Sequence, residues 1–180
     1  MAAIDIGPGA DTVAVFGYDT GYTNIDATNP ADGSGSITSF EVYAVTGSPL
    51  GGAKMGTFYG SGTDYTCRDF ESIGTVNAGS KQTFSGLNCT VSSGDIIGIY
   101  HSSGSNPVRA IGSGGAFLQL AGDNTANGSQ TYNGPYYTLK SCIYGTGETS
   151  SGWTGKINGV TNPAKIWGIA VANISKVGGI

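Results

Sequence analysis

Charged side chains are scarce in this chain of 180 residues, in which Asp, Glu, Lys and Arg make up only 11%, against about 25% in a typical soluble domain. The formal net charge is −4, and 38% of the residues are hydrophobic. Disorder driven by high net charge is therefore excluded, because such chains combine strong charge with little hydrophobicity. The excess of acids also disfavours nucleic acid as a partner, since nucleic-acid binders present a basic surface.

Residues that commonly carry catalysis or bind metals are also few. There is one histidine, His101, and the three cysteines Cys67, Cys89 and Cys142 are dispersed. A zinc site needs three or four closely placed ligands, and a Ser-His-Asp site needs a histidine between a serine and a carboxylate. Neither pattern occurs. We therefore expect no catalytic residue, no metal site and no cofactor, and predict that the protein is not an enzyme.

Three chemical questions stay open at this point. Glycoside hydrolysis needs two carboxyl groups whose spacing is set in three dimensions, so Glu41 and Glu71 are candidates for a glycan-degrading site. An odd number of cysteines leaves at least one thiol free, and burial of all three as small hydrophobic residues is favoured. Loop-like aspartates are candidates for scattered calcium binding, namely Asp11, Asp19, Asp26, Asp32 and Asp123.

Long hydrophobic runs are absent as well. No stretch approaches the 18 apolar residues of a membrane-spanning helix, and residues 1–6 lack the basic and apolar regions of a secretory signal. These observations predict cytoplasmic synthesis, no signal peptide and no membrane partner. The abundance of Gly, Ser, Thr, Asn and Tyr is nevertheless typical of extracellular β proteins. A virion or other extracellular particle, released by lysis, satisfies both observations.

Glycine is what the chain has in excess, with 32 residues. Each glycine inside a helix costs about 1 kcal/mol relative to alanine, so a helical bundle is disfavoured. Short β-prone segments separated by turn signals roughly every ten residues predict an all-β fold, a jelly-roll-like β-sandwich. Gly56, Gly74 and Gly98 lie inside predicted strands, where we expect bulges or close packing. The predicted strands are 37–45, 55–59, 64–70, 73–76, 82–85, 89–91, 96–100, 108–111, 116–120, 136–139 and 141–144.

The last thirty residues differ from the rest of the chain. Residues 1–150 contain all twelve acids and five basic residues, a net charge of −7, whereas residues 151–180 contain three lysines and no acid. The segment 146–152 resembles a linker. We therefore divide the chain into a β-sandwich body, residues 1–148, and a β-repeat tail, residues 149–180. The opposite charges of body and tail suggest head-to-tail pairing between copies.

The tail contains a short repeat of the form Lys, β-branched residue, any residue, Gly, β-branched residue. Its copies are Lys156-Ile157-Asn158-Gly159-Val160, Lys165-Ile166-Trp167-Gly168-Ile169 and Lys176-Val177-Gly178-Gly179-Ile180. Each copy is too short to bury a face alone, so neighbours must supply the rest. Three interpretations remain: an additional β-meander packed on the body, an assembly arm that pairs with another copy or a carrier structure, and a flexible tail.

Aromatic residues supply the candidates for surface contact. Tyr132, Tyr136, Tyr137 and Trp153 fall in or near predicted loops. Exposed tyrosine and tryptophan stack on sugar rings or anchor protein interfaces, while the alternative is ordinary packing at strand ends. These four residues make surface glycans a candidate partner, and a carbohydrate-binding module is the alternative function.

Several segments resemble uncharacterised β-rich proteins of tailed phages, prophages and environmental sequences. They are residues 3–10, 56–60, 65–69, 79–87 and 94–100. The tail is similar to short Lys-Val-Asn-Gly-Val repeats that end many phage structural proteins, although Trp167 and Gly178 stand in place of Asn in two copies. The resemblance implies a virion context and no catalytic residues. We therefore expect a non-enzymatic structural or adhesive protein of a virus-like particle or filament, of decoration, tail or fibre type. It would self-assemble through its C-terminal repeat, with other copies or other virion proteins as partners.

Overall fold

The computed structural model describes residues 2–11, 14–17, 20–104, 108–111 and 114–150, together with the backbone of four short tail strands. Among these residues there is no α-helix, and accordingly no helix that could cross a membrane. The prediction of an all-β sandwich is confirmed. In chain order the strands are β1 (Ala3–Ile6), β2 (Ala14–Gly17), β3 (Tyr22–Asp26), β4 (Gly35–Tyr43), β5 (Leu50–Ser61), β6 (Asp64–Val76), β7 (Lys81–Val91), β8 (Ile96–Tyr100), β9 (Val108–Ile111), β10 (Phe117–Ala121), β11 (Gln130–Thr131), β12 (Asn133–Tyr136), β13 (Leu139–Ser141), β14 (Ile143–Thr149), β15 (Lys156–Ile157), β16 (Val160–Thr161), β17 (Lys165–Ile166) and β18 (Ile169–Ala170).

The body is built from a four-stranded and a seven-stranded sheet, both antiparallel. The four-stranded sheet has the order β1-β14-β4-β7, and the seven-stranded sheet has the order β11-β6-β5-β8-β3-β10-β12. A smaller third sheet has the order β13-β9-β2. Long-range pairing joins the two ends of the body, because β1 pairs with β14.

The first hydrophobic core lies where the two large sheets pack together. Alternating residues of each strand face it, as expected for a period of two. The four-stranded sheet contributes Ile4, Ile6, Ile37, Phe40, Val42 and Ile143, and the seven-stranded sheet contributes Met55, Ile97, Ile99 and Phe117, all at most 1% exposed.

The seven-stranded sheet curls until it is nearly a barrel around a second core. Its edge strands β11 and β12 are consecutive in the chain, with only Tyr132 between them. β11 pairs with β6 and β12 pairs with β10, so residues 130–136 bridge the two ends of the sheet. The second core consists of Ile25, Phe58, Tyr65, Ile96, Leu118 and Tyr132. Strand β8 therefore faces hydrophobic cores on both sides, through Ile96 and Ile97.

Bulges appear where glycines were predicted to interrupt strands. The segments 64–70 and 73–76 form one strand, β6, whose register shifts at Gly74, a residue with φ +77°. The segments 82–85 and 89–91 likewise form one strand, β7. A Cβ at Gly56 would clash with the carbonyl oxygen of Asp69, and one at Gly98 would lie 2.5 Å from Phe58 Cε2. The expectation of bulges or close packing at these glycines is confirmed.

Three local predictions are wrong. The segment 146–149 is not a linker, because it belongs to β14 and pairs with both β1 and β4, ending in the pair Thr149 and Gly35. The segment 136–139 is not one strand, since a turn at residues 137–138 separates β12 from β13. The segment 141–144 is not one strand either, since a bend at Cys142 separates β13 from β14. In these places, pairing with distant strands overrides the local signal.

Candidate functional site

The first two tail repeats are two separate β-hairpins with the same register. The pairs are Lys156 with Thr161, Ile157 with Val160, Lys165 with Ala170, and Ile166 with Ile169. Two residues separate the inner pair of each hairpin, and the first such pair, Asn-Gly, is the one that two-residue hairpin loops favour. Of the predicted assembly residues, Gly159, Trp167, Gly168, Lys176 and Val177 lie outside the described residues, as does the rest of the third repeat.

Each tail hairpin is a minimal sheet. Its strands have two residues each, and in the described part of the chain neither hairpin pairs with any further strand. A lone two-stranded hairpin is at best marginally stable in water, and an unpaired strand edge is a template for another chain. The hairpins are therefore the candidate assembly site.

The outer edge of β7, by contrast, is closed by two carboxylates from β6. Asp69 Oδ2 accepts a hydrogen bond from the Thr90 N–H at 2.7 Å. Glu71 Oε1 accepts one from the Asn88 N–H at 3.0 Å. Backbone N–H groups that an added strand would use are thus already occupied.

The opposite edge strand of the same sheet, β1, and the edge strand β13 of the third sheet show the same arrangement. Asp32 Oδ1 accepts from the backbone N–H of Asp5 on β1 at 3.1 Å. Asp26, which is fully buried, accepts from the backbone N–H of Ser141 on β13 at 2.6 Å. Acidic side chains therefore occupy backbone N–H groups of the three edge strands β1, β7 and β13. Local sequence gives no sign of these roles, because the paired residues are far apart in the chain.

Removing the β7 edge carboxylates should destabilise the body and open this edge. We expect Asp69→Ala and Glu71→Ala each to lower the free energy of unfolding by about 1 kcal/mol, since hydrogen bonds to charged groups contribute about 1.5–3 kcal/mol and these are partly solvated. Urea denaturation measures the change. The control is Glu148→Ala, because Glu148 is an exposed acid on β14 of the four-stranded sheet. Equal midpoints for all three variants would contradict the role of the edge carboxylates.

The two glutamates considered for glycan hydrolysis each interact with a different residue of a neighbouring strand. Glu41 Oε2 lies 3.0 Å from Lys81 Nζ within the four-stranded sheet. Glu71 bonds to the Asn88 backbone N–H across to β7. Both carboxylates are thus engaged in holding strands, and each does so with a different partner.

His101 is fully buried at the end of β8. Its Nδ1 lies 3.2 Å from the Ser103 carbonyl oxygen, and since a carbonyl can only accept, Nδ1 carries the hydrogen. His101 Nε2 is then an acceptor, and neither it nor the buried Asn24 Oδ1 has a partner among the described residues. Burial lowers the pKa of His101, and the bond to Ser103 opposes this only in part. The buried ring is therefore neutral in the folded protein at neutral pH.

The lowered pKa of His101 predicts a loss of stability in mild acid. The unfolded chain binds a proton at His101 near pH 6.5, whereas the folded protein does so only at lower pH. The free energy of unfolding should therefore be constant above about pH 6.5 and fall as the pH decreases toward the folded-state pKa. Urea denaturation between pH 7.5 and 5.5 tests this. His101→Asn, which removes the only histidine, should flatten the profile. An unchanged slope in the variant would refute the assignment.

All three cysteines are free thiols. Cys89 and Cys142 are buried, and Cys67 is partly buried. Burial raises the pKa of Cys67 and of Cys89 to about 12, with a further contribution from the nearby Asp69 carboxylate. No cluster of three or more His, Cys, Asp or Glu side chains suited to a metal ion is found in the described ranges.

The predicted surface aromatics separate into two groups. Tyr136 and Tyr137 are 41% and 68% exposed. Tyr132 is only 3% exposed, and its ring packs edge-to-face on Phe58 and Tyr65 in the second core. The expected surface contact is therefore wrong for Tyr132. Trp153 lies outside the described residues.

An open polar groove of about 400 Å³ lies at one end of the four-stranded sheet. Hydroxyl, amide and carboxylate groups line it, and Ser36 Oγ donates a 2.7 Å hydrogen bond to Asn88 Oδ1 within it. The lining residues are Gly35, Ser36, Thr38, Asn88, Thr90, Glu148, Thr149 and Ser150. None of them was singled out as a contact residue from the sequence, because they come from three strands that only the sheet brings together.

Comparison with protein-family models, with curated proteins and with solved structures found no match.

Proposed function

We propose that the protein is a non-enzymatic structural or adhesive component of a virus-like particle or filament, and that its tail repeats join it to other copies or to other particle proteins. The observation that carries this proposal is the contrast between sheet edges. Carboxylates occupy edge N–H groups of the body, while the strands of each tail hairpin pair only with each other among the described strands. Strand addition between chains is thus directed to the tail. The virion context rests on the resemblance alone.

The assembly role is tested on the full chain by size-exclusion chromatography with light scattering. We expect the unmodified protein to form an oligomer and Ile157→Asp/Ile166→Asp, which places charges in both hairpins, to run as a monomer. Truncation after Ser150 should give the same monomer with an unchanged circular dichroism spectrum, since both cores lie within residues 1–150. Identical masses for all three proteins would refute the assembly role.

A second candidate function, carbohydrate binding, is favoured by the polar groove. Its lining offers neutral hydroxyl and amide groups and a carboxylate, without a basic residue, which suits a polyhydroxylated ligand better than an anion. A glycan array tests it, with Thr38→Val/Thr90→Val as the groove variant and Tyr136→Ala/Tyr137→Ala as the aromatic variant. A ligand whose binding is lost in the groove variant supports this function, and a flat array removes it.

A further inference from the structure

The outer face of the four-stranded sheet is a surface that no described strand covers. Its residues alternate with fully buried neighbours, as Glu41 does with Val42 and Tyr144 does with Ile143. Tyr144 on β14 is directly opposite Glu41 on β4, and its hydroxyl donates to Asp5 Oδ2 on β1 at 3.3 Å. We name this surface, made of Asp5, Asp32, Glu41 and Tyr144, the Tyr144 face.

The Tyr144 face carries uncompensated negative charge. Asp5 accepts from the neutral Asn29 amide and the Tyr144 hydroxyl, and Asp32 accepts from a backbone N–H. Of these three acids, Glu41 alone is paired with a cation of the described residues, Lys81. Consistent with this, burial raises the pKa of Tyr144, and the charges of Asp5, Glu41 and Asp32 raise it further.

The tail has the complementary charge in repeated form. Lys156 and Lys165 each begin the first strand of a hairpin, and Lys176 begins the third repeat, with no acid in residues 151–180. Residues 1–150, which include the whole body, have a net charge of −7. Electrostatic complementarity of this kind steers association and sets the orientation of partners.

To reach the Tyr144 face, the same chain's tail would have to fold back along β14, whereas the tail of another copy is free of that constraint. β14 runs from Ile143 to Thr149, so Tyr144 is near its beginning and the chain leaves the sheet at its other end. The edge N–H groups of β1 and β7 on either side are occupied by carboxylates. The face, rather than the edge, is thus what the sheet presents to a partner.

We propose that the Tyr144 face binds the lysine-bearing tail hairpins of a second copy of this chain. This inference rests on the proposed function, since it assumes that the tail mediates assembly, and it names the surface that receives the tail. A contact between tail and face uses two different surfaces, so it is heterologous and produces a ring or an open filament. It weakens as salt screens the charges.

The test measures the assembly of the full chain by light scattering across protein concentration, at low and high salt. Asp5→Asn/Glu41→Gln keeps the shapes and hydrogen-bond acceptors of the face but removes two charges. We expect its assembly midpoint at low salt to shift about tenfold to higher concentration, since exposed charge pairs each contribute up to about 1 kcal/mol. The matched control, Asp64→Asn/Asp123→Asn, removes two charges from the seven-stranded sheet side and should not shift the midpoint beyond twofold.

A charge exchange makes the test specific. Glu41→Lys in the face, and Lys156→Glu/Lys165→Glu in the tail, should each prevent assembly of the full chain, and mixing the two proteins should restore it. Circular dichroism verifies that each variant is folded. If Glu41→Lys is not, the midpoint shift of Asp5→Asn/Glu41→Gln tests the face without the mixing step. Assembly that is lost in the tail variant but identical in the face and control variants would overturn the Tyr144 face while leaving the proposed function intact. Assembly unchanged in the lysine variant would also overturn the Tyr144 face, whereas the proposed function is refuted separately if Ile157→Asp/Ile166→Asp assembles like the unmodified protein. A monomer whose own tail cross-links to its own face would also overturn this inference.

Discussion

Gly98→Ala is expected to lower the free energy of unfolding by about 3 kcal/mol, the upper end of the usual cost of overpacking a core. A Cβ at Gly98 would lie 2.5 Å from Phe58 Cε2, 2.7 Å from Ile25 Cγ2 and 3.0 Å from the Asn24 carbonyl oxygen. Phe58 has a ring that can shift, but Ile25 and the β3 backbone press from the other side, so relief at one contact tightens another. The second core inside the curled sheet depends on this missing side chain.

Urea denaturation of Gly98→Ala measures the effect, with Gly128→Ala as the matched control because a Cβ there meets nothing within 4 Å. The control should change stability by less than about 0.5 kcal/mol. Phe58→Leu should cost less in the Gly98→Ala background than in the unmodified protein, because it removes the closest clashing atom and the two residues are in contact. Equal effects of the two alanine substitutions would show that the core can expand at β8.

Sequence pattern was sufficient for the fold class and for several strands. The prediction for residues 96–100 matches β8, and that for residues 108–111 matches β9. Strong local β-propensity and clear turn residues define these elements. The glycine excess, which first disfavoured helices, also marks real bulges, as at Gly74.

Burial pattern was harder to predict where a bulge changes the alternation. Ile37 and Phe40 are on opposite faces of an ideal strand, and both are fully buried in the first core. Against β14 the register of β4 shifts between Ile37 and Ser39, so the exposed Thr38 is an extra residue there. Against β7 the register shifts at the same place, but the extra residues lie in β7 between Ser85 and Cys89. A prediction based on strict alternation along β4 cannot anticipate the register shift, because pairing with β7 and β14 produces it.

The burial of Tyr132 and the roles of the edge carboxylates depend on contacts between residues far apart in the chain. Local sequence patterns therefore could not predict them. Tyr132 has a loop-like neighbourhood, but the closure of residues 130–136 across the sheet places its ring in a core. Asp69 and Glu71 look like ordinary strand acids until β7 lies beside β6. Only the tail repeat was visible locally, and there the sequence indicated the repeating unit but not that each of its first two copies forms one hairpin.

Asp95→Ala is expected to destabilise the body by about 3 kcal/mol, because it breaks a largely buried ion pair by removing one partner. Asp95 is 2% exposed. It accepts from Arg68 Nε at 2.5 Å and Nη2 at 3.0 Å, and from the Ser92 backbone N–H at 2.8 Å. The single carboxylate thus joins β6 of one sheet to the turn after β7 of the other, and a bidentate pair of this kind also fixes geometry.

The more exposed ion pair between Lys54 and Asp123 serves as the comparison that tests how much the burial of Asp95 adds to stability. Its side chains are 28% and 32% exposed, and Nζ lies 2.5 Å from Oδ2. Asp123→Ala should therefore cost about 1 kcal/mol or less for the lost pair, whereas Asp95→Ala leaves a guanidinium whose remaining contact is the Tyr59 ring, 4.7 Å away. Thermal and urea denaturation of both variants measure the difference. Equal losses would mean that burial of Asp95 adds nothing, and that the sheets are held at this point by hydrophobic packing alone.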